Sequence, residues 1–211
     1  MAMKLTSTAF SDGGPIPGAL AFCVFDPATH VKLSENLNPD LRWSDLPQGT
    51  KSLALICHDP DVPSRPDDVN KEGRTIPASL ARVEFFHWTL VDLPADATPI
   101  ARGEFSRGVT PRGKPGPKGP RGTRQGINDY TGWFAGDKDM AGQYHGYDGP
   151  CPPWNDERVH HYVFTLYALG VARLELADAF TGPDVRKAMK GHVLAQATLT
   201  GVYTLNPSVR L

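Results

Sequence analysis

At 211 residues the chain is long enough to bury a sizeable core as one domain, without disulfide or metal staples. Its 22 Lys and Arg balance 23 Asp and Glu, which excludes a whole-protein field that would draw it to nucleic acid or an anionic membrane. With 21 Gly and 20 Pro, turns must be frequent and long helices few.

From Met1 to Phe10 there is no apolar core of signal-peptide length, and no run of about 18 apolar residues occurs anywhere, so a cytoplasmic protein without a transmembrane segment is expected. Cys23, Cys57 and Cys151 are odd in number and separated by 34 and 94 residues. Such spacing fits neither a disulfide framework nor a zinc pair, and a reducing compartment with no metal or cofactor is the simpler expectation.

Short β-patterned runs separated by turns predict a sandwich or barrel. The best are Ser52 to Cys57, Phe85 to Leu93, Tyr162 to Leu169 and Leu199 to Leu205. Directly after the first comes His58-Asp-Pro-Asp-Val-Pro63, where Pro60 and Pro63 would hold the carboxylates of Asp59 and Asp61 on stiff backbone. In the second, period two puts Phe86, Trp88 and Leu90 on one face and Phe85, His87, Thr89 and Val91 on the other, so His87 is expected off the most apolar face.

Between Arg107 and Arg124 lie six Lys or Arg, four Pro, five Gly and no acidic residue. This basic stretch, 107–124, is predicted to be an exposed loop that buries almost nothing and could draw in phosphates or a partner. Gly146-Tyr-Asp-Gly-Pro-Cys-Pro-Pro153 follows as a rigid wall in which Pro150, Pro152 and Pro153 lack an N–H. In His160-His-Tyr-Val-Phe164, alternation places His160, Tyr162 and Phe164 on one face and His161 on the other, against an adjacent-histidine metal clamp. Near the C-terminus Pro183 can open a helix whose stripe is Val185, Met189 and Val193, expected to pack on the end of the sheets.

Asp59-Pro-Asp-Val-Pro63, His87 within Phe-His-Trp, Gly149-Pro-Cys-Pro-Pro153 and His160-His-Tyr162, in that order, resemble the phosphatidylethanolamine-binding protein family, in its bacterial Raf-kinase-inhibitor-like branch. Further matches from Leu5 to Tyr203 extend the resemblance over nearly the whole chain. It implies a single mainly β domain over residues 1–211, a β-sandwich of two antiparallel sheets with a few peripheral helices. The implied site is an end-on anion pocket made by Asp59, His87, His160 and Tyr162, with Asp61, Pro63, Gly149, Pro150 and Pro152 as walls. Relatives often carry His-Arg-Tyr where this chain has His160-His161-Tyr162, and the segment from Asp67 to Arg82 looks longer than usual.

The expected activity is non-catalytic binding of a small anion, phosphate or a phosphoethanolamine-like headgroup. His87 and His160 would hold the anion, Asp59 would orient an imidazole, and a protonated His87 would favour the complex at lower pH. Alternatives are a kinase-like or other protein-interaction module acting through the basic loop, and a phosphate-ester hydrolase using Asp59 with the histidines. A homodimer is plausible by the same resemblance, and no specific nucleic-acid partner is expected.

Overall fold

Four alternating apolar runs supply the long strands of one sheet. The computed structural model describes residues 2–211, in which β5 (Ser52–Pro63), β6 (Arg82–Pro94), β8 (His160–Leu169) and β9 (Val193–Tyr203) pair antiparallel with a short β7 (Arg124–Gln125) in the order β7-β6-β5-β8-β9. The opposing layer is broken into two antiparallel ribbons, β1 (Lys4–Thr6) with β4 (Arg42–Ser44) and β2 (Cys23–Asp26) with β3 (His30–Leu33). Between the layers, Leu5, Phe10, Leu20 and Leu41 meet Leu53, Leu55, Trp88, Leu90, Phe164 and Leu166 in the main core.

A second core lies on the other face of the five-stranded sheet, where Val185 and Met189 pack on Ala54, Ile56, Phe86 and Val91. Helix α2 (Gly182–Ala188) therefore covers a sheet face, not the sheet end that its sequence suggested. It opens with a capping box in which Thr181 and Asp184 exchange bonds, and the chain turns through Gly191 (φ +81°). That turn removes Val193 from the helical stripe and makes it the first residue of β9. A single-turn helix, α1 (Tyr130–Trp133), completes the elements used below.

The reading of β6 needs one correction. Cys57 faces Trp88 while His58 faces Phe86, so His87 is an extra residue, a β-bulge that breaks the period of two. Phe85 and His87 consequently share a side with Trp88 and Leu90, in or beside the main core, while Phe86 and Val91 face α2. His87 is thus on the apolar side, aimed along it toward the end of the sandwich.

Two other expectations change. Cys23 and Cys151 form a disulfide closing 128 residues, and only Cys57 is free, so the cysteine argument for a reducing compartment loses its basis. The basic loop is exposed along much of its length but is tied to the body. Lys114 reaches Asp148 at 2.6 Å, Arg121 takes Glu104 with two nitrogens, and the buried Arg124 pairs with Asp92 at 2.6 Å. No helix among the described residues is long and apolar enough to cross a membrane.

Candidate functional site

Asp59, His87, His160 and Tyr162 come from three neighbouring strands, and each is at most 3 % exposed. They form the floor of a cavity of about 520 Å³, together with Pro63 and Pro152 from the predicted walls. Asp61, Gly149 and Pro150 do not reach it. Asp61 turns away to accept from His161 Nδ1 (2.8 Å) and Arg158 (3.2 Å); burial pushes its carboxyl up, but these bonds outweigh it and leave the group below the ordinary range. Gly149 and Pro150 lie behind the wall: the Gly149 N–H donates to Asn36, and the Pro150 carbonyl accepts from Phe22 and Cys23.

The Asp-Pro-Asp turn works as its sequence suggests. Pro60 cannot join the β ladder, the pairing with β6 shifts between Asp59 and Val62, and the Asp61 N–H donates 2.7 Å to Asp59 Oδ1. That bond aims Asp59 Oδ2 at His160 Nδ1, 2.6 Å away. His160 Nε2 lies 3.2 Å from Asp156, which Arg82 grips with two nitrogens at 2.5 and 3.0 Å. Burial opposes charge on His160, but Asp59 and Asp156 on either side outweigh it and raise its pKa to about 9. The result is an alternating row, Asp59–His160–Asp156–Arg82, in which both nitrogens of the imidazolium are occupied. Asp59 therefore orients His160 and not His87.

His87 is held differently. Its Nδ1 lies 2.7 Å from the Asp148 carbonyl oxygen, which can only accept, so Nδ1 carries the proton and Nε2 faces the cavity. Burial, only partly offset by Asp59 and the Asp148 carbonyl, pushes its pKa down to about 4. Without a ligand His87 is therefore a neutral ring near neutral pH, offering a lone pair to the cavity. Beside it Tyr162, whose hydroxyl burial pushes well above the ordinary range, stays neutral. Neither His87 Nε2 nor Tyr162 Oη has a protein partner among the described residues.

The carbonyl that fixes His87 is itself fixed. Asp148 is fully buried, and its carboxylate takes Asn36 (2.7 Å), Asn128 (2.8 Å) and Lys114 (2.6 Å); burial raises its pKa, with Lys114 opposing. Sequence reasoning singled out neither Lys114 nor Asp148, because the pair spans 34 residues and joins two loops without periodicity.

Sequence reasoning also missed the upper walls, which are apolar: Phe22, Val31, Val69, Tyr130, Phe134 and Met140 among them. At the mouth, Leu33 and Trp133 are 58 % and 48 % exposed. Only Phe85, on the same side as His87 by alternation, was within reach of a sequence pattern. Among the described residues no group of three or more His, Cys, Asp or Glu is arranged to hold a metal ion.

A mainly β two-layer protein with a polar-floored cavity between its layers defines the class. The chain belongs to the phosphatidylethanolamine-binding protein family, whose model matches residues 6–204. It is 34 % identical to a UPF0098 protein of Methanothermobacter thermautotrophicus, over 95 % of this chain and 98 % of that one. Similarity to the UPF0098 protein YbhB of Escherichia coli is 29 %, over 96 % and 100 %. Among solved structures it resembles Escherichia coli YbcL, described as a new member of the mammalian PEBP family (TM-score 0.67, 26 % identity, 97 % and 99 % covered). It also resembles a phosphatidylethanolamine-binding protein homologue from Chlamydia trachomatis (TM-score 0.63, 30 % identity, 96 % and 97 % covered).

Proposed function

We propose that this protein binds a small amphipathic ligand with an acidic, phosphate-bearing head, and that it acts by binding rather than turnover. The observation carrying this reading is that His87 Nε2 and the Tyr162 hydroxyl, both without protein partners, meet on the floor of an otherwise apolar cavity of about 520 Å³. A pocket that buries mainly apolar surface around a few placed polar groups suits such a ligand. The head would hydrogen-bond to His87 and Tyr162, and the apolar body would lie along Phe22, Val31 and Phe134 toward Leu33 and Trp133. Because His160 is occupied by two carboxylates, it shapes the floor and orders Asp59 without gripping the head.

The basic loop gives no comparable support to an interaction module, since Lys114, Arg121 and Arg124, half of its six cations, are committed to carboxylates of the body. Calorimetric titration with hexyl phosphate tests the binding reading. One saturable site is expected, weakened by about 1.5–3 kcal/mol in His87→Ala, the range for a hydrogen bond to a charged group. His161→Ala should bind normally, because that side chain points to Asp61 on the far side of β8. Absence of saturable binding, or release of inorganic phosphate during the titration, would contradict the reading.

A further inference from the structure

The hydrogen-bonding sense of the floor narrows the ligand class. The Asp148 carbonyl takes the Nδ1 proton, so a neutral His87 ring shows the cavity an acceptor. The groups around it do not reverse that polarity. On β5 stand Asp59, its oxygens taken by the Asp61 N–H and His160, and His58, which lies toward Glu84. On β8 stand His160, closed off between Asp59 and Asp156, and Tyr162. Tyr130 on α1 is edge-on to the His87 ring and spends its hydroxyl on the Gly149 carbonyl. The Asp148 carboxylate is neutralised by Lys114 and points away from the ring toward Asn36 and Asn128.

We propose that the pocket selects ligands whose acidic head brings its own proton, phosphate monoesters above all, and discriminates against sulfate esters and phosphodiesters of the same charge and tail. This rests on the binding function proposed above. A monoester with one P–OH can donate to His87 Nε2 while an unprotonated oxygen accepts from Tyr162. Sulfate esters and phosphodiesters near neutrality have only acceptors, so His87 must first take a proton from water. With the His87 pKa near 4, that requirement costs such a ligand about 30-fold in affinity at pH 5.5. The monoester loses almost nothing there, because its second ionisation lies near pH ~6.

The protons balance as follows. Around pH 5.5 the monoester monoanion binds neutral His87 with no net proton change. Above the second ionisation of the ester, complex formation takes up one proton, and affinity should fall about tenfold per pH unit. Sulfate-ester binding should already take up a proton at pH 5.5.

The test is calorimetry at pH 5.5 with hexyl phosphate, hexyl sulfate and methyl hexyl phosphate, all near one negative charge. Repetition in two buffers of different ionisation enthalpy gives the proton count. The proposal expects hexyl phosphate to bind at least tenfold more tightly than either competitor, with proton uptake only for the competitors. Equal affinities for hexyl phosphate and hexyl sulfate, or equal proton uptake, would overturn the selectivity while leaving the binding function standing. Failure of all three to bind would overturn both. In His87→Gln, which can donate as well as accept, the preference should collapse even where overall affinity drops; a preference that survives would also overturn the proposal.

Discussion

Replacing His160 with Gln keeps a side chain of similar reach but removes the cation between Asp59 and Asp156. The wild-type pKa is raised from 6.5 to about 9 in the folded state, so its stabilising contribution is complete below pH 6.5 and is lost as pH rises through 9. Linkage puts that contribution at about 3 kcal/mol at pH 6 and about 1 kcal/mol at pH 8.5, a difference of about 2 kcal/mol. His87 has the opposite sign: its folded pKa is lowered to about 4, so its contribution is present above 6.5 and is lost as pH falls toward 4. Between pH 6 and 8.5 His87 therefore adds a small rise to both proteins, and their difference isolates His160. Urea unfolding at the two pH values is the assay. Wild type should fall by about 2 kcal/mol relative to His160→Gln on going from pH 6 to 8.5. Parallel pH profiles would refute the charged row Asp59–His160–Asp156.

Three further outcomes follow from the packing. Lys114→Met should destabilise the fold by about 3–5 kcal/mol, because it strands the fully buried Asp148 carboxylate, whereas Lys118→Met in the same loop should be near neutral in urea unfolding. Reduction of the Cys23–Cys151 disulfide should cost about 2–4 kcal/mol and lower the melting temperature measured by calorimetry. Gly149→Ala should fail or unfold early in a thermal melt, since its Cβ would sit 2.1 Å from the Leu20 carbonyl oxygen and 2.8 Å from the Tyr147 hydroxyl. Replacement of Gly13, which has open space around it, by Asn should be tolerated.

The strands and the positions of Asp59, His160 and Tyr162 were legible because period-two alternation and proline rigidity are local rules, whereas alternation put His87 on the wrong face and only the family resemblance assigned it to the floor. Phe164 and Tyr162 share a face with His160, and Asp59 stands on a Pro-stiffened turn, as those rules require. What was not legible depends on pairing between distant segments. The bulge at His87 exists only relative to β5, the disulfide joins β2 to the 149–153 wall, and Lys114 meets Asp148 across two loops. The lone pair that His87 turns to the cavity was not legible for the same reason. Its Nδ1 partner, the Asp148 carbonyl, lies 61 positions away, and nothing beside residue 87 announces it.

A crystal structure of the protein with hexyl phosphate, grown near pH 5.5, would show which atoms hold the head. The phosphate is expected within hydrogen-bond distance of His87 Nε2 and Tyr162 Oη, with the alkyl chain against Phe22 and Phe134 and its end toward Trp133. Ligand density on the basic loop or on the α2 face, with the cavity holding only solvent, would contradict this placement.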